Sequence, residues 1–458
     1  MPEAPTIDTG NTAWLLISSA IVLLMTPGLA LFYGGLNRSK GVLNMMMMSF
    51  SSIGLVSILW LFYGFSVAFG DDKGSVIGDV GQYLGTKTFM AETDLWGETG
   101  IPLYVFMAFQ MMFAVITVAL ISGAISDRAK FSGWLLFAFG WATLVYFPVA
   151  HWVWGGGFIG AKLGALDFAG GTAVHINAGA AALALALVLG KRLGWPREAM
   201  KPHNVPMVAL GAGLLWFGWF GFNAGSELTA DSTTAIAFLN TQVATAAAVL
   251  GWLVVEKIRD GRPTLVGASS GAIAGLVAIT PACAFVAPWA AVLLGLVAGA
   301  VCAVAVGLKY RLGFDDSLDV VGVHFVGGWI GCLWIGLFGT STVSSLVSDE
   351  GLFYGGGVTQ LGVQALSALI VTVYSFVVAY LLGLAIEKTI GFRVTAEAEV
   401  DGIDIAEHAE SGYDLSPTAG GGSGGAFAMA GIGTSAPAGE GKAAPVEPAE
   451  PVSEKVAG

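Results

Sequence analysis

Eleven long apolar runs, joined by connections of which only every second one is rich in lysine and arginine, leave this chain few folds to choose from. The runs lie near 12–33, 43–69, 101–125, 131–152, 169–190, 205–224, 234–255, 265–283, 286–308, 319–339 and 360–386. Each has about the 20 residues a helix needs to cross a bilayer. Lipid offers backbone amides no partners, so such spans are helical. The pattern predicts an all-α integral membrane protein with eleven transmembrane helices.

The alternate connections carry Arg38 and Lys40, then Arg128 and Lys130, then Lys191, Arg192, Arg197 and Lys201, then Lys257, Arg259 and Arg262, then Lys309 and Arg311, and finally Lys388 and Arg393. The other set carries only Lys73, Lys87 and Lys162. Cytoplasmic loops are the basic ones, so the N-terminus is expected outside and the C-terminus inside. Only 11% of residues are charged, where a soluble domain has about 25%. The 66 glycines fit close helix packing, and the spacings Gly267 to Gly271 and Gly295 to Gly299 read as packing contacts. The formal charge of −12 comes from loops and tail, and implies no basic or nucleic-acid partner. Cys283, Cys302 and Cys332 stand singly in apolar runs, as small core residues. The N-terminal MPEAPTIDTG lacks a basic signal-peptide region, so the first run is expected to remain as an anchor.

An odd span count invites a repeat: two copies of five in opposite orientation, plus one C-terminal helix. Runs five and ten are then counterparts. Run five reads DFAGGTAVHINAG from Asp167, and run ten reads DVVGVHFVGGWIG from Asp319. Each places a Val-His pair among small residues. At about 1.5 Å per residue, His175 and His324 lie roughly 8–10 Å in from opposite faces, where an inverted pair can meet. An intramembrane histidine points to function, and two such rings can share one hydrogen bond while staying able to take a proton. The alternatives are two separate packing histidines, or bis-histidine haem ligation, which a single pair on opposed helices disfavours.

At the outer end of run four stands HWVWGGG, beginning at His151. Either tryptophan alone reads as an interfacial anchor. The glycines after Trp154 indicate a sharp re-entry of the chain, and an inward indole face attracts a small cation by about 0.5–2 kcal/mol. Asp167 and Asp319 read first as helix caps. Phe109, Phe113 and Phe222 can add aromatic surface, and Ser226 a hydroxyl acceptor at the same outer level, but spacing alone does not select the three rings. Beyond run eleven, residues 391–415 read as a short ordered cytoplasmic segment, and 416–458, rich in Gly, Ala and Pro, as a disordered tail.

The stretches TPGLALFYGG (26–35), FAVITVALISGAISDR (113–128), AHWVWGGG (150–157), GALDFAGGTAVHINAG (164–179), KPHNVPMV (201–208), WFGFNAGS (219–226), GAIAGLVAITPAC (271–283) and DVVGVHFVGG (319–328) closely resemble the Amt class of ammonium transporters. The resemblance spans about residues 12–414. It implies eleven helices with a five-plus-five inverted repeat, assembled as a homotrimer with one pore per subunit in the plasma membrane (the cell inner membrane). By the same resemblance, Trp154, Phe109, Phe113 and Ser226 bind external ammonium, Phe113 and Phe222 form a gate, His175 and His324 line the pore, and Asp167 supports the outer site. Segments GFRV (391–394) and DGID (401–404) resemble the regulatory tail on which a PII-type signalling protein can dock.

The expected function is ammonium uptake, with NH4+ recruited at the outer aromatic site and NH3, with or without H+, conducted past the histidines. No enzymatic activity, cofactor or metal is expected. The rival is an ammonium sensor of the same fold that signals through its tail.

Overall fold

The computed structural model describes residues 6–86 and 94–413. The expected disordered tail, 416–458, lies outside the described residues. Ten helices among the described residues are long and apolar enough to cross a membrane. They are α1 (Thr9–Leu36), α2 (Ser39–Phe69), α3 (Leu103–Ile125), α4 (Phe131–Lys162, interrupted after Val153), α5 (Gly171–Leu189), α6 (Val205–Glu227), α7 (Ser232–Arg259), α9 (Pro288–Leu312), α10 (Val321–Phe338) and α11 (Thr359–Thr389). The apolar run at 265–283 gives a shorter helix, α8 (Leu265–Ile279), which breaks into a turn. The eleven expected runs are therefore all helical.

Local chemistry sets where several of these helices begin. Asp8, Asn204, Asp231 and Thr264 each accept a hydrogen bond from a first-turn amide of α1, α6, α7 and α8, and each such cap is worth about 1 kcal/mol. Small residues then set how closely the helices approach. A methyl group on Gly295 or Gly299 of α9 would collide with the carbonyl oxygens of Ala244 and Ala248 on α7, so the glycine spacing read as packing is a packing contact. The three cysteines are buried and free.

The basic connections converge. Arg38, after α1, reaches Asp127, after α3, at 2.8 Å. Arg192, after α5, bonds Asp315, after α9, at 2.9 Å, and Asp127 at 3.4 Å. Arg128 donates to the Asp315 carbonyl at 2.6 Å, and burial draws its guanidinium down to about 10. Burial by itself would raise the Asp315 carboxyl, but its bonds to Arg192 outweigh that and hold it below the usual carboxylate range. Four alternate connections thus share one face.

The chain beyond α11 closes over that face as two short helices, α12 (Ala396–Asp401) and α13 (Ile403–His408). Glu399 pairs with Arg393 at 2.8 Å and accepts from the Leu193 amide at 2.6 Å. Asp404 accepts from the Leu43 and Asn44 amides at the start of α2. Of the segment 391–415 after run eleven, the described residues reach Tyr413. At the opposite end of the molecule two small antiparallel pairs, β1 (Asp72–Lys73) with β2 (Ile77–Gly78) and β3 (Leu95–Trp96) with β4 (Ile101–Pro102), cover the helix ends.

Candidate functional site

A cavity of about 180 Å3 opens at the end away from the basic connections. Trp154 forms one wall because the chain turns sharply there: Gly156 has φ +90°, a conformation glycine adopts without strain, and the helix breaks. The indole N–H donates 2.8 Å to the Asp167 carbonyl, which fixes the ring. Phe113 stands at 88° to it, with centroids 6.2 Å apart. The Ser226 hydroxyl donates its proton to the Phe222 carbonyl at 2.8 Å. Its oxygen therefore offers lone pairs to the cavity it lines. Such a wall suits a cation that carries N–H donors.

Phe113 and Phe222 close the floor. Their rings stack 4.2 Å apart at 27°. Below them His175 lies 6.1 Å from Phe222 and 5.4 Å from Trp219, nearly parallel to both. The Nδ1 atoms of His175 and His324 are 3.3 Å apart, so one ring donates to the other. Among the described residues His175 Nε2 has no hydrogen-bond partner. Both rings border a narrow cavity of about 10 Å3, lined otherwise by aliphatic and aromatic groups such as Leu29, Ile116, Val174 and Trp219. That volume is at the lower limit for one water molecule.

Both histidines sit in wide, π-helical turns, Gly171–Ile176 and Val321–Phe325, a backbone form found mostly at functional positions. Asp167 anchors the first. Its two carboxylate oxygens accept from the amides of Gly170, Gly171, Thr172 and Ala173 at 2.7–3.0 Å. The cap reading of Asp167 is therefore correct. For Asp319 it is not: that residue has φ +64° and pairs with Lys309 at 2.6 Å. Asp316 does the capping, accepting from Val320 and Val321. Asp316 precedes His324 by eight residues, as Asp167 precedes His175. The left-handed turn at Asp319 moves the acid next to the helix off its axis, and the earlier one takes its place.

Trp154, Phe113 and Ser226 thus meet in one cavity, Phe113 and Phe222 stack beneath it, and His175 and His324 touch below. Phe109 is fully buried, its ring 4.9 Å from Phe113, and it backs that ring instead of lining the cavity. Six residues not singled out in the sequence also border the cavity: Phe69, Trp96, Phe106, Gln110, Phe168 and Leu228. Gln110 could have been noticed as an amide inside an apolar run, and among the described residues its buried Oε1 has no hydrogen-bond partner. Trp96 gave no such signal, because it reaches the cavity from β3 by stacking on Phe106 at 3.8 Å.

Compared with known proteins, residues 13–413 match the Ammonium Transporter Family. The ammonium transporter of Mycobacterium tuberculosis is 56% identical over 438 residues, covering 90% of this chain and 92% of that protein. The putative ammonium transporter of Methanothermobacter thermautotrophicus is 48% identical over 412 residues, covering 89% and 99%. Among solved structures, Saccharomyces cerevisiae Mep2 superposes with a TM-score of 0.79 at 36% identity, covering 86% and 89% of the two chains. A protein described as a sensor Amt protein gives a TM-score of 0.80 at 30% identity, covering 87% and 98%.

Proposed function

This chain belongs to the ammonium transporter family, and from that premise we propose that it takes up ammonium by binding NH4+ in the outer cavity and passing NH3, with or without H+, along the histidine pair. The observation that carries the reading is the vertical order of the groups: aromatic cavity with an oxygen acceptor, stacked phenylalanines, then two histidines in contact in a narrow apolar lumen.

NH4+ enters from the side away from the basic loops, the N-terminus being outside and the C-terminus inside. Trp154 offers its face, worth about 0.5–2 kcal/mol to a cation, and Ser226 accepts an N–H bond. Phe109 keeps the Phe113 ring in position. Dehydration separates ammonium from Na+ and K+, because only ammonium replaces lost water with N–H bonds to fixed acceptors. Phe113 and Phe222 keep water out until a ring swings aside. Carrying a full charge through the lumen costs several kcal/mol, and the cost falls if His175 or His324 holds the proton while NH3 moves. Asp167 fixes Trp154 above and the His175 turn below. The subunit works in a plasma-membrane homotrimer built as a five-plus-five inverted repeat, with α12 and α13 offering a face to a PII-type protein.

The test is the current from purified full-chain protein in liposomes after an ammonium jump, with a K+ jump as control. A transient for ammonium alone supports charge-coupled transport. Ammonia entry read by internal pH without current supports neutral conduction, and neither signal overturns the reading. A sensor role has one observation in its favour, the likeness to the sensor Amt protein. Unimpaired ammonium uptake in cells that have no other transporter, with residues 414–458 deleted, separates transport from signalling.

A further inference from the structure

We propose that the outer cavity is an aromatic box for quaternary ammonium ions, which bind there and go no further, so that they plug the protein from outside. The proposal rests on the reading of this cavity as the ammonium entry. It is carried by features that ammonium itself does not need. Six rings line the space: Phe69, Trp96, Phe106, Phe113, Trp154 and Phe168. A single NH4+ is too small to touch more than a few of them in a cavity of about 180 Å3.

The rings are set as walls, not as one flat stack. Phe113 meets Trp154 at 88°, and Phe69 meets Trp96 at 89°. Trp96 lies flat on Phe106 at 3.8 Å, which holds the indole plane in place at the edge of the cavity that both rings line. Boxes with aromatic walls hold methylated ammonium groups, whose charge is spread over methyls and weakly hydrated. Among the described residues no carboxylate borders the cavity, so none of them presents a strongly hydrated anion that has to be stripped of water.

The same geometry stops such an ion. Phe113 and Phe222 stack 4.2 Å apart directly beneath, and the next space holds about 10 Å3. A quaternary ion has no N–H, so it cannot hand a proton to the histidine pair, nor donate to Ser226. NH4+ uses rings and oxygen together; a quaternary ion uses rings alone.

The experiment adds tetramethylammonium to the ammonium-jump assay on full-chain protein, with Na+ at equal ionic strength as control. Tetramethylammonium alone is expected to give no current, and in competition to raise the apparent KM for ammonium at unchanged maximal current. Tetrabutylammonium, too large for the box, is expected to compete far more weakly. Trp96→Ala and Trp154→Leu should each weaken the tetramethylammonium effect by about tenfold, whereas Ser226→Ala should leave it within about twofold while weakening ammonium. Should Trp154→Leu fail to fold, Trp96, partly exposed on β3, supplies the variant. Competition no stronger than that of Na+, a current carried by tetramethylammonium itself, or block insensitive to Trp96→Ala overturns the box while a normal ammonium current leaves the entry reading standing. If ammonium gives no transport, the entry reading fails on its own, and calorimetry with tetramethylammonium still decides the box: heat lost in Trp96→Ala supports it, and no heat overturns it.

Discussion

The outer cavity and the histidine lumen are separated by two phenylalanine rings and are built on opposite principles. Above, about 180 Å3 is bordered by π faces, a serine oxygen with free lone pairs and an unpartnered amide oxygen. Below, about 10 Å3 is bordered by aliphatic and aromatic side chains, with two histidines whose Nδ1 atoms meet each other. The first can stabilise a cation with nothing but fixed acceptors and quadrupoles. The second offers a cation almost nothing except a place to leave its proton. Under the proposed function, the difference means that charge is accepted at one level and separated from nitrogen at the next.

The widest break in that comparison is to remove the place where the proton goes. Replacing His175 and His324 together by Ala leaves the outer cavity intact and the lumen without a titratable group. If the proton is held there during passage, the variant must carry whole NH4+ through low dielectric, at several kcal/mol. Ammonium-evoked current, measured on protein shown to be folded, is expected to fall about a hundredfold or more, or to lose its preference over K+. Wild-type current with wild-type selectivity would sink the relay.

Asp167 ties the two levels together, and its replacement tests whether they depend on one support. Its carbonyl holds the Trp154 indole, and its carboxylate holds the amides that open the His175 turn. Asp167→Asn keeps the size but has one acceptor oxygen where the native side chain uses two. Two amides then lose their partner in a buried place, a loss on the order of 2 kcal/mol. Thermal unfolding in detergent should show lowered stability, together with weaker ammonium affinity and lower current. Asp316→Asn, which caps only two amides at the other histidine, should cost less. Equal losses in the two variants would show that the number of amides served does not set the difference.

The pairing of the two histidines was legible because it rests on two strong signals, a polar ring in an apolar run and the parity of the spans. The cap of the second helix was not, because the nearest acid, Asp319, looks like a helix start and nothing in its neighbours announces a left-handed turn. The matching spacing, Asp167 to His175 and Asp316 to His324, was present in the sequence all along. Four of the six rings of the outer box were hidden for a different reason. Phe69, Phe106 and Phe168 are three among many phenylalanines, and Trp96 reaches the cavity only when β3 folds over the end of α3. Periodicity reports which face of a helix is apolar, and has no access to what a distant loop sets against it.

The smallest effect belongs to Ser226, which under the proposed function is the acceptor that distinguishes ammonium from a bare cation. Ser226 already spends its proton on Phe222, so deleting its oxygen costs the protein one local hydrogen bond and costs NH4+ one acceptor. The aromatic walls remain. With a typical net hydrogen bond worth about 0.5–1.5 kcal/mol, Ser226→Ala should raise the apparent KM for ammonium about three- to tenfold and leave maximal current near the native value, since the acceptor acts at entry and the histidines below are untouched. A fall in maximal current with unchanged KM would place Ser226 at the gate through its bond to Phe222, and the division between a cavity that accepts charge and a lumen that separates it would have to be redrawn at that serine.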